Sequence, residues 1–401
     1  MGVRQPTEVQ TAALPALLGG RDCVVQSPTG SGKTLAFLIP LSERLGGHVK
    51  SDPRALVVTP TRELATQIGA VLQQLDPRLR VALVFGGVGY GNQIERLRTA
   101  DVVIGCPGRL VDLAQRGAAR LGAVEYLVLD EADEMFDSGF AKDVEAITAR
   151  TNAERRQTAL ASATMPDWVV AMTKRHLREP ERVTVASTSE ADLEHGLLSV
   201  PQAQKVQMLS QLLKQSASAI VFHRTKHGAK RLARDLSALG HATAELQGNL
   251  SQAARDRALS SFRKRESQVL VATNVAARGL DVQEVALVVN YELPDTADWL
   301  THRVGRTARN GARGRALTFL TEEDGEKWRK LRRLGAPELR FVDARLLLST
   351  GQMHFMADPP PAMRSPVAIP ARPRGQGPKT TWGARSSRPA SPYRRPRSEV
   401  R

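Results

Sequence analysis

A glycine-rich stretch, SPTGSGKT at residues 27–34, is the place in the sequence best suited to phosphate chemistry. It follows a short apolar run and precedes a helical pattern. Its glycines let backbone N–H groups turn towards phosphate oxygens, Lys33 can reach the β and γ phosphates, and the Thr34 hydroxyl can bind Mg²⁺. The alternative is a glycine-rich turn without a ligand, since Ser27 replaces the usual first glycine. The residues that we expect to bind nucleotide are Thr29, Gly30, Ser31, Gly32, Lys33 and Thr34.

Carboxylates follow a second apolar run, at residues 126–129, which has the pattern of a buried strand. Ligands of open α/β sheets bind at the carboxyl edge of the strands, where Asp130 and Glu131 would lie. We expect Asp130 to hold Mg²⁺ through water and Glu131 to orient and deprotonate the attacking water. Taken alone, these acids fit a solvated turn equally well, and Asp133 fits an acid at a helix N-terminus.

Short apolar, β-branched runs must position these residues, and they alternate with helical patterns as in a doubly wound parallel sheet. A polar stretch at 187–191 separates two sets. The sequence therefore predicts an α/β fold with domains at 1–187 and 188–348 and a tail at 349–401. The predicted strands are 23–25, 56–59, 81–85, 102–104, 126–129 and 158–161, then 219–222, 242–246, 269–272, 286–290 and 316–320.

Composition excludes several classes of protein. Cys23 and Cys106 lack the spacing of a disulfide framework or a zinc site, which favours a reducing, cytoplasmic compartment. No apolar run approaches the roughly 18 residues of a membrane span, so we expect no membrane association. A chain of 401 residues is long enough for two or three domains with cores of their own.

The net charge of +16 is concentrated towards the C-terminus. Residues 351–401 contain ten lysines and arginines, two acids and ten of the 23 prolines. Such a segment has too few apolar residues to offset the entropy cost of ordering, so it is expected to be disordered. A basic tail attracts the phosphates of nucleic acid. The alternative is a tail that only keeps the protein soluble.

With both motifs in place, the chain resembles the DEAD-box RNA helicases over residues 2 to about 320. The resemblance implies two RecA-like domains, ATP and Mg²⁺ as cofactors, RNA as the partner, and a monomer. It also implies that Gln10 reads adenine and that Asp281 lies near the ribose. The implied RNA contacts are Pro60, Thr61, Arg62, Gly87, Gly108, Arg109, Arg255 and Thr273, and the implied interdomain coupling residues are Asp133, Ser162, Thr164 and His302.

The last motif of the resemblance, HRVGRTAR at 302–309, suggests how the two domains cooperate. Arg306 and Arg309 lie three residues apart and can share one helical face, directed at a γ-phosphate held by the first domain. Such arginines raise rates on the order of 10³ to 10⁵. That advantage exists only when the domains close. The alternative is a basic surface run.

Some positions depart from the family pattern. Asn274 in place of Asp and Ala308 in place of Gly leave the strength of interdomain coupling open, and neither removes a catalytic role. The other departures are Cys106 for Thr, Gln247 for His and Leu300 for Tyr. Relatives also carry about twenty residues before the stretch that Met1 opens, including an aromatic that stacks on adenine. We therefore expect Met1 to be an internal methionine of a longer chain.

The prediction is an ATP-dependent RNA helicase that parts short duplexes or remodels RNA–protein complexes. Two alternatives remain open. One is a DNA helicase of the same superfamily, and the other is an ATP-gated RNA clamp or annealing factor with little unwinding.

Overall fold

The computed structural model describes residues 5–28, 30–46, 52–185, 193–274, 285–307, 314–358 and 360, apart from the side chains of Asp298 and His302. Within these ranges no helix is both long and apolar enough to cross a bilayer. The predicted site residues Thr29, Asp281 and Arg309 and the side chain of His302 lie outside them.

The first domain is built on a parallel sheet of seven strands among the described residues, in the order β3-β4-β2-β5-β6-β1-β7. The strands β1, β5 and β6 are therefore neighbours. Their carboxyl ends bring the phosphate loop, the acids after β5 and the Ser162 region to one part of the sheet edge. The strands are β1 (Cys23–Gln26), β2 (Ala55–Val58), β3 (Val81–Val84), β4 (Val102–Gly105), β5 (Tyr126–Leu129), β6 (Gln157–Ser162) and β7 (Glu181–Thr184).

Helices cover both faces of this sheet. They are α1 (Glu8–Leu18), α2 (Lys33–Leu45), α3 (Arg62–Leu75), α4 (Gly91–Leu97), α5 (Pro107–Gln115), α6 (Ala132–Asp137), α7 (Ala141–Thr148) and α8 (Asp167–His176). Alternate strand residues face opposite layers, so Val57 and Val128 pack towards α1, α2 and α3. Leu56 and Leu127 pack towards the helices from α4 to α8. Burial on both faces explains why the central strands are continuous apolar runs.

The second domain repeats this topology. Its sheet order is β10-β11-β9-β12-β13-β8-β14, which is the order of the first sheet with seven added to each number. The strands are β8 (Leu193–Ser199), β9 (Ala219–Phe222), β10 (Thr243–Leu246), β11 (Val269–Ala272), β12 (Leu287–Asn290), β13 (Gly314–Leu320) and β14 (Arg340–Phe341). The described helices are α9 (Lys205–Lys214), α10 (Lys226–Ala238), α11 (Gln252–Arg263), α12 (Ala297–Val304), α13 (Gly325–Arg333) and α14 (Ala344–Thr350).

The shared topology identifies the counterpart of the phosphate loop. That loop follows β1 in the first domain, and β8 occupies the same place in the second sheet. The segment after β8, residues 200–204, contains no glycine. The loop after β9, which resembles a phosphate loop in following a strand, instead corresponds to the loop after β2. The described structure therefore contains one phosphate loop of this type.

The folded part of the second domain includes residues beyond its predicted end at residue 348. After α14, Met353 is 9% exposed, and Phe355 forms an antiparallel bridge with Val342. Residues 349–358 therefore pack against the second domain, and the domain boundaries stay predictions. The composition of the segment gave no sign of this, because a few apolar anchors hold it against β8 and β14.

Candidate active site

The phosphate loop joins β1 to α2 and curls around the ammonium group of Lys33. Lys33 Nζ donates to the carbonyl oxygens of Ser27 at 2.5 Å and Pro28 at 2.8 Å. Ser27 Oγ lies 2.7 Å from Ser31 Oγ, so the residue that replaces the usual glycine braces the loop. Gly32 has φ +98°, a conformation that strains any residue with a Cβ. The loop thus has the backbone shape of a phosphate cradle.

Helix α1 is fastened to this loop by Gln10. Its Nε2 donates to Gly32 O at 3.1 Å, and its Oε1 accepts from Thr7 N at 3.0 Å in a capping box. A Cβ on Gly32 would lie 2.7 Å from Gln10 Nε2. Gln10 therefore acts structurally on the phosphate loop, and its contact with adenine stays a prediction.

The two acids after β5 are held in an environment that opposes their charge. Burial raises the pKa of Asp130, while Lys33 and the N–H of Glu131 lower it. Burial, followed by repulsion from Asp130, also raises the pKa of Glu131. A raised pKa suits a carboxylate that must take a proton from water, because its proton affinity approaches that required near neutral pH.

Glu131 has further features of a reactive group. Its backbone is left-handed, with φ +52°, which is strained for a residue other than glycine. Its Oε2 is buried and has no hydrogen-bond partner among the described residues. This oxygen is therefore able to accept a hydrogen bond from a water molecule next to a bound nucleotide. The positive charge of Arg306, in the second domain, lowers the pKa of Glu131 and so acts across the two domains.

Asp133, Ser162 and Thr164 form one hydrogen-bonded group next to the acids. Asp133 Oδ2 accepts from Thr164 N at 2.7 Å and from Thr164 Oγ1 at 2.8 Å. Ser162 Oγ accepts from Asp133 N at 3.2 Å and donates to Thr164 O at 2.7 Å. The structure thus brings together three of the four predicted coupling residues, and a movement at Thr164 would be transmitted to the Asp130 turn.

Arg303 anchors the helix that precedes Arg306. It is 1% exposed, and its guanidinium donates to Asn274 Oδ1 at 2.7 Å, Asn290 Oδ1 at 3.0 Å and Glu292 O at 2.8 Å. These direct acceptors are neutral, and Arg303 Nη2 has no partner among the described residues. Burial lowers the pKa of this guanidinium. Asn274 stands where the family pattern has Asp. It therefore keeps a hydrogen bond to Arg303 but does not supply a negative charge to balance the guanidinium.

Two side-chain contacts connect the domains at the start of α3. Arg255 of α11 forms an ion pair with Glu63 at 2.6 Å, and both side chains are at most 10% exposed. Arg62 Nη1 donates to Gln252 Oε1 at 3.0 Å. Arg255 therefore contacts the first domain at this point, and its contact with RNA stays a prediction. The pairing of Glu63 could not be predicted from the sequence, because its partner lies 192 residues away.

The remaining predicted RNA residues lie at the ends of β2, β3, β4 and β11. Gly87 and Gly108 are exposed, whereas Pro60, Thr61 and Thr273 are buried. Arg109 Nη1 donates to Val88 O at 3.1 Å and its guanidinium lies 4.1 Å from the Tyr90 ring centre. The contact of Tyr90 with Arg109 was not predicted from the sequence, where the one indication is an aromatic residue close to the pair Gly86 and Gly87.

Comparisons with known proteins agree with this arrangement. The DEAD/DEAH box helicase model matches residues 7–172, and the helicase conserved C-terminal domain matches residues 204–311. RNA helicase CrhR of Synechocystis sp. is 41% identical over 332 residues, covering 81% of this chain and 67% of the relative. ATP-dependent RNA helicase DeaD of Escherichia coli (strain K12) is 39% identical over 358 residues, covering 86% of this chain and 57% of the relative.

A solved structure, S. cerevisiae Dbp5 bound to RNA and ADP BeF3, matches with a TM-score of 0.75 and 31% identity. The match covers 85% of this chain and 91% of that chain. The tandem domains, with one phosphate loop among the described residues, have the architecture of a superfamily 2 helicase core. The chain belongs to the DEAD-box family of ATP-dependent RNA helicases.

The Glu63–Arg255 ion pair predicts a measurable coupling between the domains. Removal of either charge leaves the other buried, so Glu63→Ala and Arg255→Ala should each weaken RNA binding in the presence of a non-hydrolysable ATP analogue. A double-mutant cycle should give a coupling of about 0.5–3 kcal/mol. The exposed pair of Arg21 with Glu181, within the first domain, serves as the control and should give little coupling. Additive effects at Glu63 and Arg255 would contradict the interface role.

The neutral surroundings of Arg303 predict that Asn274→Asp stabilises the protein. Asn274 is partly exposed, so a carboxylate there costs little desolvation and gives Arg303 a charge-assisted hydrogen bond. We expect a gain of about 1–2 kcal/mol, seen as a higher Tm in thermal melting. Asn290→Asp is the control, because Asn290 is buried and its Nδ2 donates to Thr318 Oγ1. A lower Tm for Asn274→Asp would refute the account.

Proposed function

We propose that this chain hydrolyses ATP when RNA and ATP together hold its two domains closed, and that the closed state separates short RNA duplexes. The observation that carries the proposal is the effect of Arg306 on Glu131. The base that activates water lies in the first domain, and the cation that stabilises the transition state lies in the second. Rapid hydrolysis therefore depends on the relative position of the domains.

The first domain supplies the groups that hold the substrate. ATP phosphates would accept from the loop N–H groups and from Lys33, replacing the carbonyl oxygens that Lys33 now contacts. The Thr34 hydroxyl and Asp130 are the residues that would hold Mg²⁺. The ion would neutralise phosphate charge when bound with ATP. The buried position of Asp130 beside Lys33 fits this role, because a nearby cation compensates the cost of a buried carboxylate.

Glu131 would then orient the water and accept its proton. Its unpartnered Oε2 gives the water one acceptor, and the raised proton affinity of the carboxylate favours transfer. Arg306 would stabilise the charge that develops on the transferred phosphoryl group. Arg309 stays a predicted second arginine of this kind.

The RNA-binding part of the proposal rests on the other half of each sheet. The loops after β2, β3 and β4 lie side by side, and their topological counterparts follow β9, β10 and β11. Loops at these strand ends present backbone N–H groups, hydroxyls and arginines, which suit a phosphate backbone rather than particular bases. We infer binding with little sequence preference and a strong dependence on salt. The cytoplasmic location, the monomeric state and the role of the basic tail stay predictions.

A comparison of nucleic acids tests the proposed function. The ATPase rate is measured with single-stranded RNA, with DNA of the same sequence and with neither, alongside displacement of a short RNA duplex. We expect stimulation by RNA well above that by DNA, together with ATP-dependent displacement. Glu131→Gln is the control, which should bind ATP and RNA and abolish turnover. Equal stimulation by DNA would support a DNA helicase, and stimulation without displacement would support an RNA clamp.

A further inference from the structure

A basic groove lies on the second domain, outside the nucleotide site and outside the loops assigned to RNA. Its volume is about 540 Å³. One wall is helix α10 and the other is strand β10, at the end of the sheet order. The groove is lined by polar and charged side chains of both elements: His227, Lys230, Arg231 and Arg234 from α10, and Thr243 and Glu245 from β10.

The basic residues of α10 form a continuous stripe. Positions 227, 230, 231 and 234 recur every three or four residues and therefore share one helical face. The opposite face, with Leu232 and Leu236, is buried in the domain core. From residue 227 to residue 234 the stripe extends for about 10 Å along the helix. It is thus a fixed array on a packed helix rather than a set of charges on a loop.

Acids near the groove do not neutralise the stripe. Helix α10 carries four lysines and arginines against the single acid Asp235. Asp235 lies 4.0 Å from Arg231 and 3.5 Å from Arg234, and both arginine side chains are 77% exposed. Exposed pairs of this kind contribute little and exchange readily with other anions. Glu245 lines the groove and accepts from Gln247 Nε2 at 3.0 Å, so its charge offsets only one of the three lysine and arginine charges in the lining.

One end of the groove meets the loop after β10. Lys226 Nζ, at the start of α10, donates to Asn249 Oδ1 at 2.8 Å. A Cβ on Gly248 would lie 3.1 Å from Lys226 Cε, so loop and helix are in close contact. This loop is the counterpart of the Gly87 loop in the first domain, and α10 is the counterpart of α3. An RNA strand that extends from the loop after β10 along helix α10 would therefore reach the groove next.

We propose that the groove between α10 and β10 binds the phosphate backbone of RNA that extends beyond the loops at the strand ends. The ligand is a phosphodiester chain, held by Lys230, Arg231 and Arg234 without base contacts. The groove would make affinity depend on RNA length and would let the protein hold a flanking single strand while the loops act on a duplex. This inference rests on the proposed RNA-dependent function.

The test compares RNA lengths in the full chain with a groove variant, Lys230→Gln with Arg231→Gln and Arg234→Gln. Binding of oligouridylates is followed by fluorescence anisotropy with a non-hydrolysable ATP analogue and Mg²⁺. We expect unchanged affinity for the shortest RNA that stimulates the ATPase, and on the order of tenfold weaker binding of RNA ten nucleotides longer at low salt. With long RNA, the slope of log Kd against log salt should decrease by about 2, at about 0.7 per lost phosphate contact.

Two further variants serve as controls. Arg329→Gln with Lys330→Gln and Arg333→Gln removes three exposed cations from α13 of the same domain and should leave both affinities unchanged. A second control replaces Lys230 with arginine and Arg231 and Arg234 with lysine. This variant should bind long RNA as the wild-type chain does, because phosphate binding needs the positive charge. An equal loss of affinity for short and long RNA, or no loss of affinity for long RNA, would contradict the proposed role of the groove in RNA binding. If wild-type ATPase is not stimulated by RNA, the proposed function itself fails.

Discussion

The positive charge of Arg306, in the second domain, lowers the pKa of Glu131 in the first, and the proposed mechanism depends on this interaction. Burial and the neighbouring Asp130 make the negative charge of Glu131 costly, and a cation from the other domain offsets part of that cost. The compensation exists only while the domains are together. Elements distant from the nucleotide serve the same end, since Arg303 fixes the helix before Arg306 and the pair of Glu63 with Arg255 holds the sheet edges in contact.

A repeated sheet explains how one edge can serve two ligands. In the first domain, β5, β6 and β1 deliver the acids, the Ser162 region and the phosphate loop, whereas β2, β3 and β4 deliver the predicted RNA loops. The second domain has the same order, but its β8 leads into a segment without glycines, and its ATP half contributes Arg306 instead. In the proposed function, nucleotide and RNA would contact separate halves of both sheets, so that each ligand would favour closure and both together would favour it most.

Eleven strands and the phosphate loop were predictable, because their signals are local: apolar runs buried on both faces and glycines before a helix. Strands β7, β8 and β14 were not. The sequence ERVT of β7 is polar, β8 contains Gly196 and the polar residues Glu194 and His195, and β14 has two residues. Side-chain pairing was equally hidden. The Asp133 group follows from adjacent strands, but the partners of Arg255 and Arg303 depend on how distant segments pack, which no spacing in the sequence records.

The most direct measurement is the ATPase rate of Arg306→Gln with and without saturating RNA. If Arg306 completes the site only in the closed state, its loss should reduce the RNA-stimulated rate on the order of 10³ and leave the slow RNA-free rate unchanged. The rate with RNA would then approach the rate without it. An equal reduction of both rates, or stimulation by RNA that persists without Arg306, would contradict the claim that hydrolysis depends on domain closure.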